Sequence, residues 1–274
     1  MIYFISVIIL LLLLAFLAFL NFQFKVLFVP SNKLRILEYH SISVNGFEDQ
    51  ITISKDRIIE QFEYLKTNNY TTLWLSEVND FKVKNLPIPP KSVVLTFDDG
   101  FADNHTELYP LLVKYNFKAV CFVVLGRIGQ QADWGGKFVS ENMTMMNKLQ
   151  LKAISSHIEL GYHTFKHDNY ASLSLDEIEK DLQLCQEVIK NEELNVFPAL
   201  AYTYGGYYRK KGIKQDQFFQ VLEKYGIKYA LRIGNRINIL PFKNNYLIQR
   251  IDIRGKDSIK DFKKKVIFGR KKIF

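Results

Sequence analysis

Cysteine is close to absent from this chain, with two in 274 residues: Cys121 lies in an apolar run and Cys185 in an amphipathic stretch. So small a number excludes a disulfide framework and a close-spaced thiolate zinc motif, and it makes both thiols candidates for the core. Internal repeats are missing, as are low-complexity tracts after the N-terminal run, which excludes solenoid and disordered architectures. Nucleic-acid-binding motifs are missing too. The excess of 37 basic over 28 acidic residues, a formal charge of +9, is therefore not read as a nucleic-acid footprint. Part of that excess is the tail Lys263, Lys264, Lys265, Arg270, Lys271 and Lys272, whose composition fits a solvated terminus, or a contact with anionic headgroups or an acidic polymer.

Charge is also missing from the first 24 residues, and Phe4 to Leu20 is apolar apart from Ser6. That length matches the roughly 20 residues that cross a bilayer, so residues 1–24 are expected to form a transmembrane helix in contact with membrane lipid. The bulky run Leu17-Ala18-Phe19-Leu20-Asn21-Phe22 lacks a small-x-small cleavage pattern, which favours an uncleaved, single-pass anchor. Lys25, Lys33 and Arg35 follow the span, and the positive-inside rule taken alone would hold the rest of the chain in the cytoplasm. Residues 25–33, with Val29-Pro30-Ser31-Asn32, read as a linker. Residues 34–274 have the length and the ordinary globular composition of one catalytic domain.

From Leu34 onward short apolar runs alternate with amphipathic ones, which predicts βα units around a parallel sheet. The strand candidates are Leu34 to Tyr39, Ser92 to Phe97, Ala119 to Leu125, Ile158 to Tyr162, Val196 to Tyr202, Lys228 to Arg232 and Leu247 to Ile253. Ile58, Ile59, Phe62 and Leu65 recur at helical spacing, and Ser174 with Glu177 forms a capping box that opens a helix to about Lys190. Further helices are expected at 104–115, 143–157, 215–225 and 257–267.

Two stretches carry chemistry. Val93-Val94-Leu95-Thr96-Phe97-Asp98-Asp99-Gly100 is an apolar strand that ends on two carboxylates and a glycine, and parallel α/β folds collect reactive groups at the carboxyl ends of strands. Taken alone, Asp-Asp-Gly is equally an ordinary turn. Ile158-Glu159-Leu160-Gly161-Tyr162-His163-Thr164-Phe165-Lys166-His167 again ends a strand on chemistry, with two of the chain's five histidines four residues apart. One carboxylate and two imidazoles are a common ligand set for a catalytic divalent metal, and the second carboxylate of the pair then remains free to act as a base.

Thr96-Phe97-Asp98-Asp99-Gly100, His163-Thr164-Phe165-Lys166-His167 and Ala201-Tyr202-Thr203-Tyr204-Gly205, in this order and spacing, resemble the polysaccharide deacetylase family with its NodB homology domain, over roughly Arg35 to Gly255. The resemblance implies a distorted (β/α) barrel, often seven-stranded, that removes N-acetyl or, less often, O-acetyl groups from glycans. It implies Asp98 as the base and Asp99, His163 and His167 as ligands of a divalent metal such as zinc, cobalt or nickel. The backbone N–H of Tyr204 would help hold the oxyanion. Leu37-Glu38-Tyr39-His40-Ser41-Ile42, Phe62-Glu63-Tyr64-Leu65 and Asn69-Tyr70-Thr71-Thr72 look most like poly-N-acetylglucosamine deacetylases, with Thr203 where that subgroup carries proline.

Departures from the pattern redistribute roles. Ala201 stands where many relatives place an arginine that orients the base, and Arg250, in Leu247-Ile248-Gln249-Arg250-Ile251-Asp252, resembles the arginine that the poly-N-acetylglucosamine subgroup places in its last strand. No histidine follows His167, so His40 is the candidate general acid. Tyr202, Tyr204, Tyr207, Tyr208 and Trp134 are candidate sugar-stacking walls. The expected activity is hydrolysis of N-acetyl groups on an N-acetylhexosamine-containing polysaccharide or oligosaccharide. An O-acetyl esterase of the same fold and a non-catalytic glycan-binding or assembly factor are the alternatives. Family substrates place the domain outside the cytoplasm, against the charge bias.

Overall fold

A computed structural model describes residues 2–24, 32–134 and 143–270, with the side chains of 6–17 alone in the first of these segments. Seven parallel strands close on themselves: β1 (Lys33–Tyr39), β2 (Ser92–Phe97), β3 (Ala119–Val123), β4 (Ile158–Tyr162), β5 (Val196–Ala201), β6 (Tyr229–Ile233) and β7 (Ile248–Asp252). Each pairs with the next in chain order, and β1 pairs with both β2 and β7. All seven strands predicted from the sequence are present. The closure is uneven: β1 meets β2 at five residues but β7 at only Leu37↔Ile251 and Glu38↔Asp252, and the β4/β5 register slips between Leu160 and Tyr162.

Strand side chains alternate between two faces, and the sequence sorts them. Leu34, Ile36, Val94, Val120, Phe122, Ala199, Ala201, Leu231 and Ile248 form one buried cluster, the barrel interior. Leu37, Tyr39, Val93, Leu95, Phe97 and Cys121 point the other way, against the helix layer. That layer includes α2 (Lys55–Thr67), α4 (Tyr109–Tyr115), α6 (Leu175–Asn191), α7 (Ile213–Lys224) and α8 (Ile259–Phe268). Gly161 is required where it stands, because a Cβ there would meet the Phe122 ring at 2.6 Å.

The helix boundaries differ from expectation in instructive places. A short helix α3 (Leu75–Val83), not anticipated from the sequence, puts Leu75 and Val78 into the interior cluster and plugs the N-terminal end of the barrel. The helix expected at 143–157 contracts to α5 (Lys148–Ala153), since Thr144 and Met145 instead bridge Gln131 and Phe101. Residues Asn104–Leu108 wind as a π-helix before α4; Pro110 has no N–H for an α-helical bond, and a wider turn relieves that gap. Lys265 of the basic tail is buried, its ammonium held by Asp257 and the Asp252 carbonyl, because Phe262 and Val266 seat α8 on the core. Lys271 and Lys272 lie outside the described residues.

The expectation of a membrane span is corrected. Helix α1 covers Ile2–Phe24, but among the described residues no helix is long and apolar enough to cross a membrane. The single-pass membrane location built on that helix loses its support with it. The expected linker falls largely on 25–31, outside the described residues.

Candidate active site and metal centre

The carboxyl ends of the strands replace the apolar interior with charge. Along β1 the inward positions Leu34 and Ile36 are followed by Glu38 and His40; past β2, Val94 and Thr96 are followed by Asp98; along β7, Ile248 is followed by Arg250. These ends line a cavity of about 390 Å³, whose walls hold all seven predicted site residues: His40, Asp98, Asp99, His163, His167, Tyr204 and Arg250.

Asp99, His163 and His167 converge. Asp99 Oδ1 lies 3.3 Å from His163 Nε2 and 3.2 Å from His167 Nε2, and all three residues are nearly inaccessible to solvent. His163 Nδ1 sits 2.9 Å from the Ala201 carbonyl, an acceptor only, so Nδ1 carries a proton and Nε2 is the nitrogen turned toward Asp99. Asp99 Oδ1 is buried with no hydrogen-bond partner among the described residues. Three electron-rich atoms within 4.8 Å repel unless a cation or proton lies among them, and this donor set fits a divalent ion. Burial opposes ionisation of Asp99, but the two imidazoles outweigh it and hold the carboxyl well below its usual range. At His163 burial is likewise outweighed by Asp98 and Asp99 and protonation is favoured, whereas at His167 burial wins and the ring is pushed toward neutrality.

Asp98 turns to a different partner. Arg250 grips it with both ends of the guanidinium, at 2.6 and 2.8 Å, and both residues are buried. His40 Nε2 lies 3.9 Å from Asp98 Oδ2, at the open side of the cavity. Burial opposes ionisation of Asp98, but Arg250 first, then His163 and His40, hold its carboxyl below the usual range. Two adjacent, chemically identical side chains are thus sorted into different environments by the strand end that carries them.

Backbone strain concentrates here. Asp99 (φ 73°), Thr164 (φ 62°), His167 (φ 65°) and Tyr204 (φ 53°) all adopt left-handed conformations, which cost on the order of 1–3 kcal/mol each for such residues and mark functional loops. The loops are tied down by residues that sequence reading did not single out. Asp181 on α6 accepts from the Phe165 N–H (2.9 Å) and the Tyr170 hydroxyl (2.6 Å), bracing the segment between the two histidines; a carboxylate on the apolar stripe of Ile178, Leu182 and Cys185 was its signal. The Thr203 hydroxyl donates to the Asp168 carbonyl, tying the Tyr204 loop to the residue after His167. Glu38 was likewise missed, although a charge in phase with Leu34 and Ile36 on a buried strand announces it.

Of the candidate sugar walls, Trp134 and Tyr204 flank the His167 ring, one stacked at 4.5 Å and the other edge-on at 4.6 Å, and both face the cavity. Tyr202 also lines the cavity, though it is almost wholly buried against Tyr207, whereas Tyr208 stacks on Phe218 in the core. His105 stacks on Tyr109 and His157 bonds Ser156, both away from the cavity.

A barrel whose strand ends present an Asp-Asp pair, two histidines and a buried arginine defines a class, and comparison with known proteins names it. The polysaccharide deacetylase family profile matches residues 85–230, more than half of the chain, which belongs to that family. A Staphylococcus aureus protein named poly-β-1,6-N-acetyl-D-glucosamine N-deacetylase is 27% identical over 210 residues, 73% of this chain and 67% of that one. YxkH of Bacillus subtilis is 27% identical over 176 residues, 64% of this chain, which spans only 58% of that relative. A solved deacetylase from Streptococcus pyogenes, PplD in complex with acetate, shares the fold with a TM-score of 0.67 at 24% identity, over 84% of this chain and 96% of that one.

Proposed function

We propose that this chain is a metal-dependent hydrolase that removes N-acetyl groups from N-acetylhexosamine units of a polysaccharide, with residues 34–274 as its catalytic unit. The observation that carries the reading is the division of the Asp pair: Asp99 faces the Nε2 atoms of two imidazoles, whereas Asp98 is held by Arg250 with His40 nearby.

A divalent ion, with zinc the first candidate and cobalt or nickel able to replace it, would be held by Asp99, His163 and His167, and would supply Lewis acidity that polarises the acetyl carbonyl and acidifies water. The protein's own groups do the rest. Asp98, kept ionised by Arg250, takes a proton from the attacking water at Oδ2, the oxygen nearest His40. The water oxygen adds to the acetyl carbon, and the backbone N–H of Tyr204 receives the oxyanion. His40 Nε2 delivers a proton to the amine as the C–N bond breaks, giving acetate and a free amino sugar. Trp134 and Tyr204 offer aromatic faces to the sugar ring. The test is acetate release from N-acetylated glucosamine oligomers, with metal, after chelation, and after metal is restored. Release that chelation abolishes and metal restores supports the reading; no release, or release indifferent to chelation, rejects it.

A further inference from the structure

The edge of Arg250 turned away from Asp98 faces a second carboxylate. Glu38 Oε2 lies 3.1 Å from Arg250 Nε, and the two residues are 3% and 1% exposed. Neither atom has a well-aligned hydrogen-bond partner among the described residues, so the contact is an ion pair between two buried, oppositely charged groups. The strands put them there: Glu38 stands in register with Thr96 on one side and Asp252 on the other, and Arg250 reaches across from the inward face of β7. A leucine at 38 would continue the Leu34 and Ile36 column with no desolvation cost, whereas a buried carboxylate needs a partner, and Arg250 supplies it.

We propose that Glu38 is a positioning residue for the base: its carboxylate holds the Nε edge of Arg250, and through that guanidinium sets how Asp98 presents its oxygens to the cavity. The kinetic consequence rests on the deacetylase reading above; the pairing does not. A guanidinium is a rigid plane, so anchoring one edge fixes the other. Without Glu38 the Nε edge of Arg250 is unanchored, and beyond Asp98 the guanidinium keeps only a long contact from Nη1 to the Thr96 hydroxyl (3.4 Å) and the Phe122 ring beneath it, so Arg250 and Asp98 can shift together, and small misplacements of a catalytic group are costly. The charged groups facing Glu38 are Arg250 and Asp252 on β7, Arg254 just beyond it, Asp98 after β2, and His40 on its own strand. Burial pushes the Glu38 carboxyl up to about 7 against the pull of Arg250, so the anchor is charged above that pH and neutral below it.

The test is Glu38→Gln, uncharged and of the same shape, in the full chain. Its kcat for acetate release is expected to fall roughly 10- to 100-fold at about pH 8, with KM and bound metal unchanged. The gap to wild type should close as pH falls below about 7, because the wild-type carboxyl is then neutral as well. In an Arg250→Lys background the same substitution should cost little more, since the route through the guanidinium is already broken. A readout independent of turnover is the Arg250 Nε–H signal in heteronuclear NMR. That signal is expected to move with a midpoint near 7 in the wild type and to stay fixed in Glu38→Gln. An unchanged kcat at high pH, a gap indifferent to pH, or an Nε–H signal that does not titrate would overturn the proposal. A titrating signal in a chain that releases no acetate would uphold the pairing and reject the deacetylase reading instead.

Discussion

Two glutamates occupy the two ends of the barrel, and burial pushes both carboxyls up to about 7. Glu38, at the carboxyl end of β1, faces a guanidinium that holds Asp98, the proposed base. Glu159, near the start of β4, accepts from the Leu75 and Ser76 N–H groups at 3.0 and 3.2 Å and so satisfies donors that the first turn of α3 would otherwise leave orphaned. The larger cavity, about 650 Å³, is at the Glu159 end, lined by Trp74, Lys152 and Phe197 among others, with no histidine in its walls among the described residues. Volume therefore does not mark the chemistry. What separates the ends is whether a buried carboxylate is partnered by a backbone terminus, which fixes a helix, or by a side chain that grips a second carboxylate at an open cavity. Substitutions at the carboxyl end should be read in turnover and those at the other end in stability, and the comparison fails wherever that order reverses.

The largest effect belongs to the three converging residues proposed as metal ligands, Asp99, His163 and His167. His163→Ala and His167→Ala each remove one lone pair from the set around Asp99, so metal content and turnover are expected to fall together, to background in the double variant. Metal analysis beside acetate release checks it, and full metal occupancy in the double variant would remove the proposed centre. Next comes Asp98→Asn, which keeps an oxygen for Arg250 but cannot accept a proton. A loss of roughly 10²- to 10⁴-fold in kcat with metal retained is expected. Asp99→Asn should instead lose metal first and recover partly in excess metal. Reversal of that rescue pattern would exchange the roles of the pair. Smaller again is His40→Ala, for which a fall of roughly 10²-fold or more in kcat with unchanged metal is expected of a general acid; near-normal kcat would take it out of the proton path.

Much of this was legible before any coordinates. The seven barrel strands announce themselves as short apolar runs, and the candidate active-site cavity as carboxylates and histidines placed just past two of them, because a parallel barrel must open its strand ends to one side. The pairing of Arg250 with Asp98 was visible only through resemblance: the two are 152 residues apart, and nothing local joins them. Glu38, Asp181 and Glu159 were missed for one physical reason. Each is a single charge whose meaning lies in a partner from a distant element, whether a guanidinium, a loop N–H or a helix terminus. Periodicity shows that such a residue faces the interior but not what waits for it there. Helix α3 escaped because its apolar residues, Leu75 and Val78, are too few for a helical stripe; it is stabilised by plugging the barrel. The N-terminal run misled in the opposite direction: its composition and length suggested a span, whereas among the described residues no helix is long and apolar enough to cross a membrane.

The smallest expected effect is at the plugged end, and it is the one that tests the comparison from the other side. An acid whose folded pKa lies above its unfolded value binds more protons folded than unfolded in the interval between, so stability falls as pH rises through that interval and levels off above it. For Glu159 the interval runs from the ordinary glutamate range up to about 7, with burial as the main cause and the Ser76 and Leu75 donors pulling the other way. Glu159→Gln has no charge to lose, and its amide oxygen can still accept from α3. Its unfolding temperature should equal or fall slightly below the wild type at about pH 5 and gain on it by about pH 8, while kcat stays unchanged throughout. The same curve carries contributions of the same sign from Asp103 and Asp181, both raised to about 6, and from Glu38, so the variant should flatten the wild-type slope without abolishing it. A wild type that instead gained on Glu159→Gln as pH rose would mean that the helix terminus outweighs burial and stabilises a carboxylate there. A change in kcat would show that the plug reaches the catalytic end after all, and the two buried glutamates would then belong to one coupled device.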